Sequence, residues 1–166
     1  MDILDYTSYQ AIRLTVGLST DELPDTLLAD EIFASTLSLA FAYTTLPSVL
    51  GTGTFVSVYA TISAISEGSR TALQQKFCDL VKVFSAYVVA EEVCNSLSTK
   101  IPKVKADGKA SLTRFSSEAT FKDTVARVRE IKASLKYSLE NINSTASFVP
   151  TLCGIITPEV NVVTGE

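Results

Sequence analysis

The sequence predicts an all-α fold, a small helical bundle of about four to five helices with an extended C-terminal arm. Three observations predict it. Apolar residues recur at helical spacing in several long stretches, glycines and prolines fall between those stretches, and β-branched, proline-broken sequence is confined to the tail. A chain of 166 residues with 46% hydrophobic and 19% charged residues is long enough to close one core and too apolar for a disordered segment. Two units are expected, a helical bundle over 1–144 and an arm over 145–166.

Thr7 and Gln10 have the spacing of a capping box, Tyr9, Ile12 and Val16 follow at helical spacing, and Gly17 suits a left-handed C-cap. A short helix is therefore expected over 7–16. From Ser19 to Asp25 the chain is rich in turn and capping residues, and Pro24 suits a first helical turn. The second helix should run on to Leu46, where Pro47 stops it. From Ile32 to Ser66 no residue is charged, which raises the question of a membrane. A span needs about 20 consecutive apolar residues. Pro47, Gly51 and Gly53 interrupt this run, and twelve of its 35 residues are Ser or Thr. Two core helices, at 32–46 and 54–66, are expected; the alternative is a membrane-associated helical hairpin.

Gly68 then precedes a long helix over 70–97. Leu73, Phe77, Leu80, Val81, Phe84, Val88 and Leu97 keep one face of it apolar, with Lys76, Asp79, Lys82 and Glu92 mostly off that face. From Pro102 to Phe115 the sequence is basic and irregular. Asp107-Gly108, flanked by Val104, Ala106, Ala110 and Leu112, predicts a short β-hairpin near 103–113. The last helix is expected over 117–142, where Phe121, Val125, Val128, Ile131, Leu135, Leu139 and Ile142 step by three or four. Glu118–Lys122 and Asp123–Arg127 add pairs at i,i+4 on its wet side.

Beyond Asn143 the pattern changes. Phe148 to Val163 is apolar and β-branched, with Pro150, Gly154 and Pro158 preventing a helix. One such segment forms no sheet alone and is a hazard if left bare. Phe148, Leu152, Ile155, Ile156, Val160, Val162 and Val163 are therefore expected to lie on another surface, in a partner or in the chain's own domain, with the partner favoured.

Charge is unevenly spread. Residues 1–31 hold seven acids against one base, Arg13, and residues 100–136 hold ten bases against four acids. The asymmetry suits copies docking head to flank, or two solvated helix faces. Lys100, Lys103, Lys105, Lys109 and Arg114 are the candidates for a basic surface, and a helical nucleic-acid-binding module on 100–136 is a further alternative. Aromatic interleaving there is slight, which favours it little. Mean hydropathy is +0.27, high enough to expect apolar surface covered by partners.

Catalysis has little to work with. The chain has no histidine, the commonest general base and metal ligand. Cys78, Cys94 and Cys153 lack Cys-x-x-Cys spacing and are expected as free thiols. Gly51-Thr52-Gly53 is no phosphate loop, and Glu91-Glu92 is expected at the surface. No secretory leader is visible at Met1-Asp2-Ile3-Leu4-Asp5, so the Asn143-Ser144-Thr145 sequon is read as chance. The expectation is a protein that binds and does not catalyse, with no cofactor or metal.

Three short motifs carry a resemblance. Asp5-Tyr6-Thr7-Ser8-Tyr9-Gln10-Ala11-Ile12-Arg13-Leu14-Thr15-Val16-Gly17-Leu18-Ser19-Thr20-Asp21-Glu22-Leu23-Pro24-Asp25 resembles the N-terminus of tailed-bacteriophage head–tail adaptor (connector, head-completion) proteins, with a short helix, a glycine turn and an acidic Glu-Leu-Pro-Asp. Phe84-Ser85-Ala86-Tyr87-Val88-Val89-Ala90 is similar to the Phe-x-x-Tyr-x-x-Ala of their long helix. The turn Asp107, Gly108, Lys109 with Ala110, then Arg114-Phe115 and a final amphipathic helix, resembles theirs too. The likeness covers residues 5–140, and the Gly51–Gly53 region departs from it. It implies a structural virion protein without catalytic residues, made in the host cytoplasm and built into the head–tail connector. Its partners would be the portal protein and the tail or nozzle proteins. It would form a closed homo-oligomeric ring of about twelve copies. DNA would pass through the channel without specific binding, no membrane would be involved, and the arm would embrace the portal or a neighbouring subunit.

Overall fold

The computed structural model describes residues 2–98 and 118–143. The chain is all-α. Among the described residues there are six α-helices and no strand: α1 (Tyr9–Val16), α2 (Asp25–Leu28), α3 (Glu31–Ala42), α4 (Phe55–Ser63), α5 (Ala72–Ser98) and α6 (Glu118–Glu140). Short 3₁₀ turns precede α1, α4 and α5, at Ile3–Asp5, Ser48–Leu50 and Glu67–Ser69. The hairpin expected near 103–113 and the arm over 145–166 lie outside the described residues.

Local hydrogen bonds decide where each helix starts and stops. Ser8, and not Thr7, caps α1: its side chain accepts from the Ala11 N–H at 3.1 Å, while Thr7 is buried. Gly17 ends α1 at φ 77°, and the N–H groups of Gly17 and Leu18 both donate to the Arg13 carbonyl. The single helix expected up to Leu46 is in fact two. Asp30 accepts from the Ile32 N–H at 3.0 Å, so a new N-cap stands between α2 and α3. α3 stops at Ala42 as well, four residues short of Leu46, with the Tyr43 and Thr44 N–H groups closing its last turn. Thr54 caps α4, which ends at Ser63 and not at Ser66. Arg70 accounts for that early stop, since its guanidinium donates to the carbonyls of Ser63 at 2.8 Å and Ile65 at 2.9 Å. The capping box lies at the start of α5: Gln74 N–H donates to Thr71 Oγ1 and Thr71 N–H donates to Gln74 Oε1.

α5 is the axis of the molecule. It packs against α1, α3, α4 and α6, and its 27 residues make about 40 Å of helix. Phe77, Leu80, Val81, Phe84 and Val88 are buried as the spacing predicts, but Ala86, Val89, Ala90, Val93 and Cys94 are buried too. A helix covered on most sides needs no single apolar stripe, so periodicity understates its burial. On α6 the buried Val128, Leu135 and Leu139, and Ile142 just past its end at Glu140, are among those that the spacing places inside.

An aromatic cluster joins the remaining pieces. Phe41 of α3 stacks on Phe55 of α4 at 4.3 Å between ring centroids, and lies 4.9 Å from Tyr6 and 6.3 Å from Phe84. Tyr59 hydroxyl donates to the Asp5 carbonyl at 3.2 Å, tying α4 to the N-terminal turn. The uncharged 32–66 stretch thus supplies core rings from helices of twelve and nine residues. Among the described residues no helix is long and apolar enough to cross a membrane.

Candidate interaction surfaces

Most of the residues singled out for binding fall outside the described part of the chain. These are the arm residues from Phe148 to Val163, the basic candidates Lys100, Lys103, Lys105, Lys109 and Arg114, and the turn at Asp107, Gly108 and Lys109. The structure instead shows how the charges nearer the bundle are used, and where apolar surface is left open.

Charge is largely committed locally. Four of the seven N-terminal acids have near partners: Asp2 caps the first turn, Asp30 caps α3, Glu22 accepts from the Ser19 N–H at 2.8 Å, and Asp25 pairs with Arg13. Arg13 is buried and also donates from Nε to the Leu23 carbonyl at 2.7 Å, which fixes the acidic turn onto α1. Glu91 is not the surface acid expected. Its side chain is 17% exposed between α5 and α6, where it accepts from Arg129 Nε at 2.9 Å and pairs with Lys132 Nζ. Burial works to raise the Glu91 pKa, but hydrogen bonds and charge from Lys132 and Arg129 outweigh it and hold the carboxyl below its usual range. Arg129 also donates to Asn95 Oδ1 at 3.1 Å. Two of the ten bases in 100–136 therefore serve the α5–α6 seam.

Among the described residues two surfaces are left open, one apolar and one of mixed polarity. The first is a groove of about 560 Å³ between the N-terminal turn, α1 and α5, lined by Leu4, Tyr6, Ala11, Leu14, Val83 and Tyr87, with Asp5 and Lys82 also at its walls. Leu14 is 74% exposed, although it belongs to a helix that buries Ile12 and Val16. The helical spacing of buried residues does not mark Leu14 or Val83. Their signal is being apolar and out of phase with the buried stripe of their own helices.

The second surface is the outer side of α3 and α4. Ile32 and Leu39 of α3, Val56 of α4, and Tyr43 and Val49 between the helices are exposed, and no residue from 32 to 66 bears a charge. Where the end of α3 meets the start of α4 it forms a groove of about 570 Å³, walled by Phe41, Thr44, Thr45, Leu46, Phe55 and Val56. The far end of α6 reaches this rim, since Thr45 N–H donates to Glu140 Oε1 at 3.4 Å.

Cys78 and Cys94 are buried free thiols. Burial, reinforced by Glu91, pushes the Cys94 pKa up to about 11, so that thiol stays protonated and unreactive at neutral pH. The Ser85 hydroxyl donates to the Val81 carbonyl within α5. Among the described residues no group of three acidic or cysteine side chains is placed to hold a metal ion. What these surfaces can do is bury apolar area against another surface. Compared with family models, with curated proteins and with solved structures, the chain matches none.

Proposed function

We propose that this chain is a non-catalytic assembly protein, a head–tail adaptor that forms a homo-oligomeric ring between a portal and a tail and extends the channel for DNA. The observation that supports it is the α1–α5 groove, an apolar surface on a small helical bundle with Asp5 and Lys82 in its walls. Apolar surface of this kind, rimmed by polar residues, marks protein interaction sites. The occupant that fits is a second copy. Asp5 and Lys82 bring opposite charges to one groove, and a ring uses such a surface once in every copy. The C-terminal arm, through Phe148, Leu152, Ile155, Ile156, Val160, Val162 and Val163, then supplies the contact to the portal or to the next subunit.

Light scattering on the full chain, alone and with a portal protein present, tests this directly. The expected particle is a closed ring of about a dozen copies. Leu14→Asp should keep the helical circular dichroism and remain monomeric, because a charge there cannot be buried unpaired. A chain that stays monomeric with the portal present, or a Leu14→Asp variant that assembles normally, overturns the proposal.

A further inference from the structure

We propose that the uncharged α3–α4 face is the resting site of the chain's own C-terminal segment, which fills the groove between Phe41 and Val56 in the free protein. The proposal does not depend on the adaptor reading. It rests on three facts about this chain.

The first is polarity. Residues 32–66 bear no charge, and Phe148 to Val163 carry only Glu159, so each can cover the other without burying an unpaired ion. The α1–α5 groove suits the segment less well, because Asp5 and Lys82 stand in its walls, whereas the Glu140 carboxylate at the α3–α4 rim already has the Thr45 N–H and Lys136 as partners. The second is position. The Glu140 carboxylate sits on the Thr45 N–H, so α6 delivers the chain to the rim of this groove. Four residues separate Asn143 from Phe148, and the five steps between them reach about 17 Å when extended. The third is the open surface itself. Phe41, Leu46, Phe55 and Val56 wall a groove of about 570 Å³ together with Thr44, Thr45 and Thr54, the size of sites that enclose several side chains.

Resting there would keep an aggregation-prone segment covered until a partner takes it up. A tether of a few residues gives the segment a high local concentration at its own groove, so modest affinity is enough to hold it.

Disulfide trapping in the full chain tests the proposal, because Cys153 lies within the segment while Cys78 and Cys94 are buried. Cysteine is placed at Val56→Cys or Ser38→Cys in this groove, and at Leu14→Cys in the α1–α5 groove as the rival. Under mild oxidation the first two should form an intramolecular disulfide with Cys153, roughly tenfold faster than Leu14→Cys, because a segment resting in the groove holds its thiol beside these positions. Mass spectrometry identifies the linked peptides, and a non-reducing gel shows monomer mobility. Preferential linkage at Leu14→Cys, or products of dimer size only, overturns the proposal. A second measurement guards against an unfavourable register of Cys153. Leu152→Asp with Ile156→Asp should speed amide hydrogen exchange at 41–46 and 53–56 several-fold, and should leave α6 unchanged. Absence of both the disulfide and the exchange response also overturns it. Neither readout needs a ring or a portal, so assembly can fail while this result stands, and the reverse.

Discussion

Two charged side chains show how position, more than type, sets what a residue contributes. Arg13 is the lone base among seven acids, and the sequence invites a purely electrostatic role for it. In the structure its guanidinium is buried and satisfies the Leu23 carbonyl, with the exposed Asp25 as second partner. Arg13→Met should therefore cost about 1–3 kcal/mol in urea unfolding, because it orphans a buried carbonyl, whereas Asp25→Asn should cost under about 1 kcal/mol. Equal losses would contradict this division. Glu91 differs, since both its partners come from another helix. Its pKa lies below the usual range in the folded chain, so its contribution is complete above the unfolded carboxyl pKa and is lost as pH falls through the lower folded value. Glu91→Gln should thus be destabilised by about 1 kcal/mol at neutral pH, Arg129 being more than half exposed, and should match the parent once the pH has fallen below the lowered folded-state pKa. Urea midpoints across that range give the answer, and a difference that persists in acid would remove the ion pair as its cause.

Helices were legible in the sequence; their ends were less so. Apolar spacing placed α1, α4, α5 and α6 within a few residues, because each has buried positions three or four apart. The break between α2 and α3 was missed because Asp30 reads as one more acid until its side chain is seen accepting from Ile32. The early end of α4 was missed because it depends on Arg70, five residues past Ile65, donating backwards. Such caps are decided by a single hydrogen bond, and several residues in each stretch could have supplied it. The candidate surfaces were legible only in part. Their lack of charge is plain in 32–66, but the groove at Leu14 and Val83 exists only once α1 is laid across α5. Glycine makes this scale testable. At Gly17, φ is 77° with no neighbour within 4 Å of an added Cβ, so Gly17→Ala should cost about 1–2 kcal/mol from backbone strain alone. Gly53 has φ 141°, and an added Cβ would lie 2.6 Å from Ser57 Oγ, the hydroxyl beside the Thr54 cap of α4. Gly53→Ala should therefore lower the melting temperature further than Gly17→Ala does, and Gly68→Ala, with open space around it, should barely move it.

Considered as a whole, the proposed ring could be held by two kinds of contact between copies, and they respond oppositely to salt. One is charge, with an acidic N-terminal stretch against a basic 100–136 stretch. The other is the apolar groove of α1 and α5. Contacts between exposed charges weaken as ionic strength rises, because the screening length falls from about 10 Å at 0.1 M to about 3 Å at 1 M. Apolar burial is indifferent to simple salts or is strengthened by excluded ones. The structure lowers the charge available for the first route. Asp2, Glu22, Asp25 and Asp30 already serve local partners, and Arg129 and Lys132 already serve Glu91. Assembly through the groove should therefore keep its particle size between roughly 0.1 and 1 M sodium chloride, or gain in size with sulfate, when followed by light scattering at fixed protein concentration. Val83→Asp should abolish it at every salt concentration, while Lys82→Ala, at the groove's edge, should shift the association constant by under about tenfold, a rim charge being worth no more than about 1 kcal/mol. Particles that dissolve as salt rises would transfer the interface to the charged stretches. The groove would then be left as a surface for some partner other than a second copy.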